Sequence, residues 1–325
     1  MATNSPSIEV RELTKAYGKT VAVDHLSFDV HPGRVTGFLG PNGAGKSTTL
    51  RMILALDNPT TGSALINGRP FADHRQPLFE VGALLDPKAF HPGRSAGNHL
   101  RCLALANGID QRRVDRVLDL VGLTAVAAKR AGGFSLGMGQ RLGLASALLG
   151  DPAILILDEP INGLDPEGIL WIRTLLRSLA AEGRTVLVSS HLMSEMALTA
   201  EHLVVIGQGR LLADDSVEAV VAASGHDTAR VRSPQAGHLA ALLAARGAVP
   251  TVTGAGELTV TGVSTASIGD LAAANAITIH ELSLQRASLE DAFMELTRDS
   301  VEFRVHDAPD DDVRASDIEL APVKR

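Results

Sequence analysis

From residue 8 the chain alternates apolar and polar positions with the period of a strand, in "SIEVRELT", "VAVDHLSFDV" and "RVTGFLG", with turn residues between. After a glycine-rich turn the period lengthens, and Thr48 to about Leu56 reads as a helix. "SALING" and "VGALLD" are expected as short strands. Residues 95–149 are mostly helical in pattern. Two helices cover "NHLRCLALANG" and "QRRVDRVLDLVGL", and a third opens in "GGFSLGMGQRLGLASALLGDP", where Leu142, Ala145, Leu148 and Leu149 recur at helical spacing. Two runs with continuous apolar centres, "AILILD" and "TVLVSS", then flank a helix at 167–181. Apolar runs separated by helices indicate a parallel sheet covered on both faces.

A break falls near 214–226. Beyond it "TARVRS", "GHLAALLAARG", "VPTVT", "ELTVTG", "ASIGDLAAANA" and "ITIHELS" follow in the order βαββαβ, the split βαβ arrangement of ferredoxin-like folds. One more helix, "SLEDAFMELT", closes this part. The tail, with "DAPDDDVRASD" and no apolar period, is expected to be disordered. No internal repeat is visible. The expected division is therefore 1–218, with its helical segment at about 87–149, then 226–298, then an acidic tail at 299–325.

The chain has 325 residues, 45% apolar and 21% charged, which suits a globular protein with a sizeable core. Its net charge of -7 argues against nucleic acid as a partner, because that role asks for a basic patch. Cys102 is the single cysteine, which rules out an intrachain disulfide and a thiolate metal cage and suits a reducing cytosol. The N-terminal "MATNSPSIEV" has neither the basic nor the apolar region of a signal peptide. No apolar run approaches the roughly 20 residues of a spanning helix, so the chain is not expected to cross a bilayer itself.

Chemistry concentrates at a few places. "GPNGAGKST", residues 40–48, follows a strand and opens a helix, the context of a phosphate-binding loop. Gly40, Gly43 and Gly45 let the backbone wrap phosphate oxygens. Lys46 brings a point charge to the β- and γ-phosphates, and the Ser47 hydroxyl can ligate Mg2+. "AILILDEP" sets Asp158 and Glu159 at the C-terminal end of a buried strand, where open α/β sheets bind ligands. Asp158 suits Mg2+, and Glu159 can orient or deprotonate an attacking water. His191, just past the second buried strand, is either a structural histidine or a γ-phosphate contact on the same sheet edge. Tyr17, the only tyrosine, is either a strand-end aromatic or a stacking surface for adenine.

The segment before Asp158 bears no acid, base or nucleophile, yet it offers glycines, the Ser135 hydroxyl and a helix start. Those features make an anion site. The phosphate loop leaves the outer face of a γ-phosphate open, so this second anion site makes sense if it covers a nucleotide held by another copy of the chain. The implied assembly is a head-to-tail pair with two nucleotides between its members.

Over about residues 8–215 these motifs together resemble the ATP-binding subunits of ABC transporters. "GPNGAGKST" is similar to the Walker A loop, in which Gly40, Pro41, Asn42, Gly43, Ala44, Gly45, Lys46, Ser47 and Thr48 bind ATP. "AILILDEP" is similar to the Walker B strand with its catalytic glutamate, "NGLDP" at 162–166 to the D-loop with Asp165, and His191 to the switch histidine. Tyr17 stands at the aromatic A-loop position. "FSLGMGQR" resembles the family signature, with Ser135 and Gly137 in the phosphate-contacting places, although Leu136 and Met138 replace a glycine and a glutamine. Asp86 stands where the Q-loop glutamine is expected.

With the βαββαβ appendix, these departures resemble the antibiotic-resistance exporters of the bacitracin and daunorubicin type. The resemblance implies a P-loop NTPase ABC cassette with a RecA-like, mostly parallel sheet core, an N-terminal antiparallel β subdomain and an α-helical subdomain, plus a small α+β ferredoxin-like C-terminal domain. It implies ATP and Mg2+ as ligands, an integral-membrane permease and a second ATP-binding subunit (identical or related) as partners, and a place on the cytoplasmic face of the membrane. The implied activity is ATP hydrolysis powering export. Two other readings exist. A soluble ABC ATPase of DNA repair or translation would carry a coiled-coil insertion or a second cassette, and neither is visible. A degenerate regulatory module would draw on Asp86, Leu136 and Met138, against the intact Lys46, Asp158, Glu159 and His191.

Overall fold

The computed structural model describes residues 5–224, 228–285 and 288–298. Strands β1 (Ile8–Tyr17), β2 (Thr20–Val30) and β3 (Val35–Leu39) come first. Helix α1 (Lys46–Ile53), strand β4 (Thr61–Ile66), the short helix α2 (Pro77–Glu80) and strand β5 (Val81–Leu84) follow. Three helices come next in succession, α3 (Ala96–Ala106), α4 (Arg112–Leu120) and α5 (Leu136–Leu148). The chain continues through β6 (Ile154–Asp158), α6 (Pro166–Ala181), β7 (Thr185–Ser190), α7 (Met193–Thr199), β8 (His202–Gly207), β9 (Arg210–Ser216) and α8 (Val217–Ser224). Of these, α2, α7, β8, β9 and α8 lie outside the elements expected from sequence. β5 stops short of Asp86, which sits in the turn that follows.

The six-stranded sheet has the order β5-β6-β7-β3-β8-β9, parallel except for the last strand. A separate antiparallel sheet, β2-β1-β4, stands beside it. The central strands are apolar at nearly every position because both faces are covered. On β6, Leu155 and Leu157 pack with α3 to α6 in one core, while Ile154 and Ile156 point into another with β1, β2 and α1. Val186 and Val188 of β7 join the first core and Leu187 the second. An unbroken apolar run is therefore two interleaved half-strands, one for each core.

Parallel pairing also aligns the strand ends. Asp158 of β6 lies beside Ser189 of β7, and Leu39 of β3 lies beside Ser190. The loop after β3, the residue after β6 and the residue after β7 thus emerge at one edge of the sheet.

Beyond α8 come β10 (Thr228–Arg232), α9 (Ala236–Ala244), β11 (Val249–Gly254), β12 (Glu257–Thr261), α10 (Thr265–Ala274) and β13 (Glu281–Gln285). This is the expected βαββαβ succession. Its antiparallel sheet has the order β11-β12-β10-β13, and Ala229, Val231, Leu258 and Val260 turn one face onto Leu239, Leu243, Ile268 and Leu271 of the two helices. The last helix, α11 (Leu289–Thr297), behaves differently. Its buried Leu289 and Ala292 belong to the core of the first sheet, against α7, α8 and β9. The expected disordered tail at 299–325 lies outside the described residues.

Candidate functional site

The loop between β3 and α1 is built on glycines in a backbone conformation that side chains rarely adopt. Gly43 and Gly45 have φ of 82° and 99°, and a Cβ on Gly45 would fall 2.4 Å from the Ala22 carbonyl oxygen. Gly45 is the N-cap of α1 and makes no side-chain cap, so the first-turn N–H groups of α1 gain no side-chain acceptor from it. Lys46 is buried, and its Nζ donates to the carbonyls of Gly40 at 2.6 Å and Pro41 at 3.2 Å. Burial lowers its pKa, opposed by the charges of Glu159 and Asp158. Pro41 is half-buried, Asn42 and Ser47 are exposed, Ala44 is buried and Thr48 is half-buried.

At the sheet edge the side chains converge. Ser47 Oγ donates to Asp158 Oδ2 at 2.6 Å, joining the phosphate loop to β6. The other carboxylate oxygen of Asp158 accepts from Ser189 Oγ. Glu159 follows with φ of 49°, in the left-handed region, which costs a non-glycine residue roughly 1–2 kcal/mol. Its N–H is held by the carbonyl of Ser189 at 3.2 Å and by Ser189 Oγ at 3.0 Å. This turn swings the Glu159 side chain away from that of Asp158, and its Oε2 meets His191 Nδ1 at 2.9 Å. His191 is itself 43% exposed and so faces the open edge. Two carboxylates adjacent in sequence therefore have different partners: hydroxyls for one, an imidazole for the other.

Tyr17 is half exposed at the end of β1, with Lys15 Nζ 5.0 Å from its ring centre and its hydroxyl donating to Asp57 at 3.3 Å. Asp57 is itself paired with Arg51 at 2.7 Å. The aromatic is thus fixed at its rim and open on a face.

Ser135 caps α5, its Oγ accepting from Met138 N–H at 3.3 Å, and Asp165 caps α6, accepting from Gly168 N–H at 2.8 Å. Together with Leu136, Gly137, Met138, Arg141, Gly163 and Leu164 they line a shallow cleft of about 470 Å3. Leu136 rests on the bare Gly163, where a Cβ would come within 2.2 Å of the leucine side chain. Arg141 lies over the Trp171 ring at 4.5 Å.

The structure brings Lys46, Ser47, Asp158, Glu159 and His191 together at one edge and puts Ser135, Gly137 and Asp165 around a separate cleft. Asp86 does not join the first group. It is exposed, and its carboxylate accepts from Lys88 N–H at 2.8 Å within its own turn. It lines a different cleft of about 380 Å3, walled by Leu54, Leu56, Leu85, Phe90 and Leu103.

Sequence reasoning passed over Ser189, which serves both acids. Its signal was the pair of serines that ends "TVLVSS", directly after the apolar Val186, Leu187 and Val188. Asp57 carried no such signal, because its contact with Tyr17 spans 40 positions.

Among the described residues no helix is long and apolar enough to cross a membrane, and no cluster of three His, Cys, Asp or Glu could hold a metal. A divalent ion here would rest on one carboxylate and one hydroxyl, with the rest of its shell from nucleotide and water. Mg2+ is bound in that way, and the oxygen donors fit it.

Residues 23–162 match the family model described as "ABC transporter", and residues 227–290 match one described as "Domain of unknown function (DUF8746)". The bacitracin transport ATP-binding protein BcrA of Bacillus licheniformis is 44% identical over 211 residues, 64% of this chain and 69% of its own length. The uncharacterized ABC transporter ATP-binding protein YhcH of Bacillus subtilis (strain 168) is 36% identical over 303 residues, 91% of this chain and 97% of its own. A solved ATP-binding subunit of an ABC transporter superposes with a TM-score of 0.61 at 27% identity, covering 66% of this chain and 92% of that one. With the phosphate loop, the acidic strand end and the capped signature helix in the same fold, this chain belongs to the ATP-binding proteins of ABC transporters and is the ATPase subunit of such a transporter.

Proposed function

We propose that Tyr17 and the loop Gly40–Thr48 bind ATP, that Ser47 and Asp158 hold Mg2+, and that Glu159, His191 and Lys46 carry hydrolysis. Bound Mg2+ would neutralise phosphate charge. The protein's own contribution is positional. Lys46 can exchange the two loop carbonyls for phosphate oxygens. Glu159, turned out by its left-handed backbone, can take a proton from water near the γ-phosphate, and His191 at 2.9 Å sets the direction of its carboxylate. That Glu159–His191 pair beside the Ser47–Asp158 bond is the observation that carries the reading.

Ser135, Gly137 and Asp165 form the cleft that covers the nucleotide of a second ATP-binding subunit. Among the described residues no hydrogen bond joins them to this chain's own Lys46 or Glu159, which supports their use across a dimer. The apolar cleft between α1, β5 and α3 gives a membrane permease a surface on the helical segment 87–149. The chain would then lie on the cytoplasmic face of the membrane through that partner. The likeness to a bacitracin transport protein supports export of an antibiotic or other small molecule. The division into a cassette at 1–218 and an accessory unit at 226–298 belongs to the same reading, with α11 returning to the cassette.

The test is Glu159→Gln. It should abolish steady-state ATP turnover while nucleotide binding survives, and near-wild-type turnover would refute the assignment.

A further inference from the structure

Gln140 lies just past the first turn of α5, 2% exposed, on a helix face whose other buried members Leu142, Leu144, Ala145 and Leu148 are apolar. Its Nε2 donates to the Glu159 carbonyl at 3.1 Å, while its Oε1 is buried with no partner. Burying an amide with one end unsatisfied is unfavourable unless the other end does something a hydrocarbon cannot.

What it reaches is the peptide of the strained residue. The Glu159 N–H is held by Ser189, and its carbonyl accepts from Asn162 N–H at 3.2 Å as well as from Gln140. Both ends of this left-handed residue are thus clamped. The Asn162 bond only closes the local turn. Ser189 of β7 holds the N–H side of that turn, and Gln140 ties its carbonyl side to α5, the element that begins with Ser135 at the second anion cleft. The same helix start touches the loop beyond Glu159 again, through Leu136 on Gly163 and through Gly137, where a Cβ would lie 3.1 Å from the Gly163 carbonyl.

We propose that Gln140 is a positioning residue for hydrolysis. Its side-chain amide fixes the Glu159 peptide in its left-handed turn and makes the aim of this chain's glutamate depend on the seating of α5, whose first turn faces the neighbouring subunit's nucleotide. The proposal rests on the reading of Glu159 as the catalytic base. Loss of the amide leaves ATP binding intact and lets the Glu159 carboxylate drift. Small misplacements of a reacting group are costly in rate, so the effect falls on kcat rather than on KM.

The experiment is a double-mutant cycle of Gln140→Met with Glu159→Gln, reading kcat, KM, ATP stoichiometry and single-turnover hydrolysis. Gln140→Met should lower kcat about tenfold, with KM and stoichiometry within about twofold of wild type, as expected for one lost hydrogen bond. In the Glu159→Gln background the same change should alter residual hydrolysis by less than about twofold, because no carboxylate remains to be aimed. Wild-type turnover in Gln140→Met, or the same tenfold loss in both backgrounds as a general packing defect gives, overturns the proposal while the role of Glu159 stands. Near-wild-type turnover in Glu159→Gln alone overturns the role of Glu159 and the proposal with it. Should Gln140→Met not fold, Gln140→Leu removes the donor at similar volume and goes through the same cycle.

Discussion

Glu159 and Asp158 stand next to each other, yet one serves the phosphate loop and the other meets an imidazole, and the cause is a single φ of 49°. Ser189 makes that arrangement affordable, since its hydroxyl meets both Asp158 and the Glu159 N–H. Ser189→Ala should therefore cut turnover by about tenfold or more while the melting temperature stays within a few degrees, measured by steady-state ATPase assay beside calorimetry. Tyr17→Ala removes an open aromatic face and should weaken ATP about tenfold, since stacking on a base is worth roughly 1–3 kcal/mol. A titration with and without Mg2+ reads this directly, and unchanged affinity would return Tyr17 to the status of a strand-end aromatic. His99 offers a pH effect instead. Burial, helped by the charge of Arg94, lowers its pKa, so the native state resists a proton that the unfolded chain accepts below about pH 6.5. Stability from this source is present above that pH and is lost as pH falls toward the folded pKa. Urea midpoints measured down to about pH 5.5 should fall more steeply for wild type than for His99→Gln, with equal slopes counting against it.

Elements show where pattern is sufficient. The strands "AILILD" and "TVLVSS", the helix between them and the βαββαβ succession were all legible, because burial on two faces and burial on one leave different periods. The strands β8 and β9 were missed, although "HLVVIG" is as apolar as its neighbours. The end of β5 was placed too late, since "LLD" continues an apolar run that the backbone leaves at Leu84. Helix α11 teaches a different lesson. It follows the accessory unit in sequence and is capped in the ordinary way by Ser288 with Asp291, but its apolar stripe fits the cassette beside α7. Ala292 is fully buried there, so Ala292→Glu should destabilise the protein by about 3 kcal/mol, whereas the exposed Glu290→Ala should stay within about 0.5 kcal/mol. Calorimetry on both variants decides whether α11 supports the cassette. A silent Ala292→Glu would mean that it does not.

At the scale of the whole molecule the proposed nucleotide site and the proposed cleft for a second subunit's nucleotide lie apart on one chain. Lys46 and Glu159 gather at the edge of the sheet, while Ser135 and Asp165 line a cleft of their own. Under the proposed function each would be half of an enclosure that a second subunit completes. Glu159→Gln with ATP and Mg2+ should shift from monomer to dimer in light scattering. A protein that binds ATP and stays monomeric would point to a different partner chain and give Leu136 and Met138 a role in choosing it.

Local pattern was enough for the glycine-rich loop between strand and helix, the acidic strand end, the serine-capped start of α5 and the order of the C-terminal unit. Each is a property of neighbouring residues: glycine's freedom in φ, the period of burial, or a hydroxyl before a helix. Folding alone decided which of these meet. The parallel register sets Asp158 beside Ser189, the left-handed turn aims Glu159 at His191, Gln140 crosses from α5 to that turn, and Asp86 bends back to Lys88. Most of these contacts join positions far apart in the chain or depend on one dihedral angle, and the Asp86 turn is local, but none leaves a period in the sequence to be read.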